Sequence, residues 1–250
     1  MNVLEFLEEM KERASRELLE VSGTGKLTEK TYTFDRGLGH ILIIRGGAIE
    51  KAAISHLALK SVTQPGIDAK ADAVVFQMEV FPENPYCPMG HFNTEWQTRG
   101  SRHYYMNLDL FPAIRIEEDL KSVKDAMDLV ADRFGRDRDK MREELDIHYN
   151  MEHFAAPLAS KVGCKLLELM DEDLDLFISA YRAFFDAYLA IIRERKGSPC
   201  SESDVRLKLE RNGKWLEYLT LKDRAVKMAQ SSGVPAELLI DLGFPPSAAF

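Results

Sequence analysis

Between Lys30 and Phe111 apolar and polar positions alternate in short, β-branched runs: KTYTF (30–34), HILIIRG (40–46), AAISHLALKSV (52–62), ADAVVFQMEVF (71–81), GHFNTEWQ (90–97) and RHYYMNLDLF (102–111). A period of two is that of strands, and the Gly- and Pro-rich segments RGLG, TQPG, PENPYCP and TRGS read as turns between them. The pattern predicts an antiparallel meander of six to seven strands over about 28–111. From Glu117 the spacing becomes helical, through EEDLKSVKDAMDLVADRFG, RDKMREELDIHYNMEHF, KVGCKLLELM, DEDLDLFISAYRAFFDAYLAIIRERKG and the long segment 201–233. SESD opens that last segment as a capping box, and Gly213 weakens its middle. Residues 1–20 form a further amphipathic helix. Strands followed by helices predict an α+β fold, a single antiparallel sheet flanked by helices as an α/β/α sandwich. One domain over 1–250 is the expectation, with helix 1–20, sheet about 28–111 and helical part about 117–232.

Composition narrows the function classes. The N-terminal helix is too charged for a secretory signal, and no run of about 18 apolar residues spans a membrane. Cys87, Cys164 and Cys200 are scattered, against a disulfide framework or a cysteine-ligated metal. A cytoplasmic protein without membrane attachment is expected. The net charge of −8 disfavours nucleic acid. Basic runs at 133–142, 193–196 and 206–214 read as solvated helix faces or as docking patches for an acidic partner.

Familiar cofactor motifs fail. GTGKLT (23–28) lacks the first glycine and the hydroxyl residue of a phosphate loop, and GLGH (37–40) lacks the third glycine of a dinucleotide fingerprint. Both read as turns. His148 and His153 are five apart, off one helical face, so no shared metal is expected. What remains is VFPENPYCPMGHFNTEW (80–96), a proline-rich turn followed by His91, Asn93 and Glu95 in alternation, on one strand face.

That stretch carries a resemblance. NPYCPMGHFN resembles the NPxxPTxHxN segment of oxygen-dependent coproporphyrinogen III oxidases. GLGHILIIRGGAIEKAAIS (37–55), LDLFP (108–112) with EED (117–119), AYLAIIRERKGSPCSE (187–202) and ERNGKWLEYLTLKDR (210–224) are similar to further segments of that family, in the same order. The departures fall at anion contacts. Glu95 replaces an arginine, MNL (106–108) replaces three glycines, KSV (121–123) replaces HFH, and SGVPAE (232–237) lacks an arginine. A tetra-acid substrate needs several guanidinium groups, so these replacements count against coproporphyrinogen.

The ferredoxin-dependent bilin reductases share that fold and the tetrapyrrole theme. MEVFPENPYCPMG, DLFP and KDRAVKM (222–228) resemble their proline turn, DLQP and KDPARGM segments. Their acidic proton donor falls near Asn93 and their histidine near Gln77, so His91 or Glu95 would have to substitute. The resemblance implies no tightly bound cofactor, with reduced ferredoxin as electron donor for a reductase or molecular oxygen for an oxidase. A reductase needs acids of tuned pKa beside the pyrrole rings. Asp223 and Asp109 lie in segments common to both families, and Arg224 with Lys227 could hold two propionates. The plainer alternatives are an Asp109 that caps the turn at Pro112, an Asp223 ion-paired with Arg224 or Lys227, and three exposed strand polars. The reading is a tetrapyrrole oxidoreductase, first a bilin reductase acting on biliverdin, then the oxidase, with a non-catalytic tetrapyrrole-binding protein as the third possibility.

Overall fold

A computed structural model describes residues 2–63, 70–99 and 101–250. Helix α1 (Val3–Ser22) starts where Asn2 Oδ1 accepts from the Glu5 amide over 3.0 Å and Glu5 returns its carboxylate to the Asn2 amide. Its buried stripe of Phe6, Met10, Ala14 and Leu18 follows helical spacing, and Gly23 at φ +77° ends it. Seven strands follow: β1 (Lys26–Phe34), β2 (Gly37–Gly46), β3 (Ile49–Thr63), β4 (Lys70–Pro82), β5 (Met89–Arg99), β6 (Ser101–Phe111) and β7 (Cys164–Leu169). They lie side by side in chain order, every pair antiparallel. The helices are α2 (Glu117–Arg133), α3 (Lys140–Tyr149), α4 (Leu174–Arg195), α5 (Glu202–Leu221), α6 (Arg224–Ser231) and α7 (Ala236–Gly243). The α+β expectation stands.

Strand parity divides the sheet into two faces. Phe76, Met78, Phe92, Met106 and Leu108 point to the larger core, where α1, α2 and α4 pack. The opposite face carries two separate apolar clusters. One joins Ile41, Ile43 and Leu57 to Leu238 and Leu242 of α7, the other joins Phe81 and Phe111 to Tyr149 of α3 and Trp215 of α5. The gap between them holds the polar strand residues. Buried Lys51 secures α7 by donating to the carbonyls of Ile240 (2.9 Å) and Phe244 (2.6 Å), and burial pushes its ammonium down to about 7.

Four local expectations are corrected. KVGCKLLELM is not a helix: Cys164–Leu169 is β7, paired beside β6, because a short apolar run satisfies either period until a partner strand is present. GLGH is not a turn but the start of β2. The segment 201–233 breaks at Asp223, whose ψ of 120° is not helical, into α5 and α6, and α7 follows it. Gly213 does not weaken α5: a Cβ there would sit 2.0 Å from the Ala249 carbonyl oxygen, so its bare backbone admits the C-terminal segment. The turns expected at TQPG and TRGS involve residues outside the described ones.

Candidate active site

A cavity of about 410 Å³ opens over the gap between the two smaller clusters. The antiparallel register builds its floor. Gln77 lies opposite Asn93, which lies opposite Asn107, and Glu79 lies opposite His91, which lies opposite Asp109. Gln77, His91, Asn93 and Glu95 all line the cavity, so alternation along β5 does turn His91, Asn93 and Glu95 to one side. Asp223 and Arg224 reach it from the α5–α6 junction. Lys227 does not line it, and its ammonium donates to the Leu221 carbonyl instead.

Asp109 also lies apart from the cavity lining. It is fully buried and accepts from Ser160 Oγ (2.9 Å) and from the amides of Lys161 (2.9 Å), Val162 (3.1 Å) and Gly163 (3.2 Å). Burial pushes its carboxyl upward against these hydrogen bonds. It holds the loop entering β7 and does not cap the turn at Pro112.

The floor is rich in polar groups held by one another. Glu79, with no exposure, accepts at Oε1 from His91 Nδ1 (2.6 Å) and Gln77 Nε2 (2.7 Å). The His91 ring packs against Phe111, Tyr149 and Trp215 at centroid distances of 6.2, 5.7 and 5.4 Å. Glu79 Oε2, Asn93 Oδ1, Asn107 Oδ1 and the Tyr149 hydroxyl are buried without a hydrogen-bond partner among the described residues. Such groups are costly to leave unpaired, which is a mark of a site that receives a polar molecule or water. Burial also pushes the Tyr105 phenol up, and Asn107 Nδ2 donates to its oxygen over 3.1 Å.

The wall adds a histidine that the sequence analysis weighs only as a metal ligand beside His153. His148 on α3 is 3.0 Å from the Tyr218 hydroxyl at Nε2 and 3.5 Å from Lys165 Nζ at Nδ1. Burial first, then the Lys165 charge, pushes it down to about 3, so it is neutral near pH 7. Burial first, then the Asp223 charge, pushes the same Tyr218 phenol well up. Asp223 Oδ1 accepts from the Val226 amide over 2.8 Å, capping α6. No ion pair joins it to Arg224 or Lys227 among the described residues. Glu79 and His148 were invisible to local patterns because their partners come from register and from remote helices. No group of three or more His, Cys, Asp or Glu able to hold a metal occurs among the described residues, and none of the described helices is long and apolar enough to cross a membrane.

A seven-stranded meander with an acid- and imidazole-lined cavity on one face defines a class of protein that comparison makes specific. The model of the coproporphyrinogen III oxidase family matches residues 2–250, and the chain belongs to that family. An oxygen-dependent coproporphyrinogen-III oxidase of Coxiella burnetii is 22% identical over 266 residues, covering 96% of this chain and 84% of that protein. Among solved structures, phytochromobilin synthase from tomato, in complex with biliverdin, superposes with a TM-score of 0.56 at 14% identity, covering 91% of this chain and 79% of that one. At that identity the likeness is one of fold.

Proposed function

We propose that this chain is a tetrapyrrole oxidoreductase, and that it reduces a bilin such as biliverdin in the cavity over β3–β6. The observation that carries the reading is the lining itself. His91, Glu95 and Asp223 bring proton-transfer groups to one space, while Arg224 is the single lysine or arginine among the described lining residues. Reducing one double bond takes two electrons and two protons, so a reductase needs acids beside the rings more than it needs many cations. Arg224 can hold one propionate by paired N–H···O contacts while the other faces solvent. Gln77 and Asn93 then orient the pyrrole edges. Electrons arrive one at a time from reduced ferredoxin, and Asp223 and His91 supply protons.

A second reading has its own support. Family membership and the Coxiella relative favour oxidative decarboxylation of coproporphyrinogen by molecular oxygen. Against it stands the sparse cationic lining, with Glu95 and Asp223 facing a tetra-anion.

The two readings separate in paired assays of the purified chain. With biliverdin and a ferredoxin reducing system under anaerobic conditions, a reductase replaces the biliverdin absorbance by that of a reduced bilin. With coproporphyrinogen in air, an oxidase releases carbon dioxide. Turnover only in the second assay would overturn the bilin reading.

A further inference from the structure

The register that sets His91 opposite Glu79 puts a carboxylate with no exposure beneath the cavity floor. A buried carboxylate is costly unless it is paired and hydrogen-bonded throughout. Glu79 is only half satisfied. Oε1 takes the contacts from His91 and Gln77, and Oε2 has no hydrogen-bond partner among the described residues. For packing alone, an apolar side chain of that size would serve the sheet better.

We propose that Glu79 is the positioning residue of this site, fixing His91 with Nδ1–H turned into the sheet and Nε2 available to the bound molecule. The inference rests on the reading that His91 acts in the cavity. A carboxylate oxygen accepts, so the contact over 2.6 Å calls for the hydrogen of the neutral ring on Nδ1. Nε2 makes no hydrogen bond to any described residue, and the rings of Phe111, Tyr149 and Trp215 confine the imidazole. The contact on one ring nitrogen thereby sets the role of the other. When Nε2 carries a second proton, the pair with Glu79 is neutral overall. Transfer breaks the Nε2–H bond, forms a bond from that hydrogen to the substrate, and leaves the electron pair on Nε2. The Nδ1 hydrogen stays on the ring, hydrogen-bonded to Glu79, throughout.

The test uses the full chain labelled with ¹⁵N-histidine, without substrate, the His91 signals being identified by their loss in His91→Gln. The ¹⁵N shifts of the neutral ring are expected to show protonated Nδ1 and unprotonated Nε2. Glu79→Leu is expected to give a mixture of tautomers, and Glu79→Gln, which keeps an acceptor, to retain the Nδ1–H form. In whichever tetrapyrrole assay the wild type turns over, Glu79→Leu should lower kcat by about 10- to 100-fold and leave KM within about twofold. An Nε2–H tautomer in the wild type would overturn the proposal, as would a Glu79→Leu protein with wild-type tautomer and kcat. Should Glu79→Leu fail to fold, the wild-type tautomer decides alone. Absence of turnover on any tetrapyrrole would remove the functional reading, while the tautomer would still decide the role of Glu79.

Discussion

Ser160 Oγ donates to Asp109 Oδ1 over 2.9 Å, and the same oxygen accepts from the amides of Val162 and Gly163. A carboxylate with this many buried donors anchors a loop. Asp109→Ala leaves the donors of residues 160–163 unpaired and is expected to cost about 3 kcal/mol or more of stability. Asp109→Asn keeps the Oδ1 contacts but presents N–H₂ to the Lys161 amide, for about 1–3 kcal/mol. Urea unfolding of both variants checks the order. If Asp109→Ala folds as stably as the wild type while losing turnover, Asp109 acts in chemistry and not in anchoring.

His148 makes stability depend on pH. It is pushed down to about 3 in the folded chain, so the unfolded chain takes up a proton below about pH 6.5 while the folded one does not. Its contribution is flat above that pH and turns against the fold as pH falls towards 3, with a slope of about 1.4 kcal/mol per pH unit. The charges acting on it come from Lys165, His91, Lys222 and Arg224. Between pH 7 and pH 5, His148→Gln should lose less stability than the wild type, by about 2 kcal/mol. Denaturation midpoints at the two pH values test this, and parallel losses would contradict it.

Arg224 and Lys227 are one turn apart, but only Arg224 lines the cavity. Arg224→Ala is expected to raise KM for a propionate-bearing substrate about tenfold with kcat little changed. Lys227→Ala should leave both constants near wild type. Equal effects from the two would mean that the propionate sits outside the cavity.

Asp223 caps α6, and the proton donation proposed for it separates from that cap by variant. Asp223→Asn retains an oxygen for the Val226 amide, so α6 stays capped while a protonatable carboxylate is lost. Turnover should fall by about 100-fold with little change in melting temperature. Asp223→Ala adds a capping loss of about 1 kcal/mol. Full activity in Asp223→Asn would remove Asp223 as proton donor.

The meander was readable because β1 to β6 are separated by turn residues and half of each central strand is apolar. Parity alone placed His91, Asn93 and Glu95 together, and all three line the cavity. β7 escaped because CKLLEL carries no strict period and its partner, Met106–Leu108, lies more than 50 residues earlier. Glu79 was hidden for a related reason. Its pairing with His91 depends on how many residues the proline turn takes up, and composition does not fix that number. His148 drew notice only beside His153, whereas its partners Lys165 and Tyr218 are 17 and 70 residues away. Lys227 shows the reverse error, since helical spacing alone cannot say which of two neighbours faces a cavity.

The central claim is that a tetrapyrrole occupies the cavity above Gln77, His91 and Asn93. Ala225 lines that cavity and is exposed, so Ala225→Trp narrows it without disturbing the core. The most direct measurement is an absorbance titration of biliverdin with the wild type and with Ala225→Trp. A saturable spectral change in the wild type, weakened at least about tenfold in the variant, is the predicted result. Equal binding by both proteins, or no saturable change with either, would contradict it.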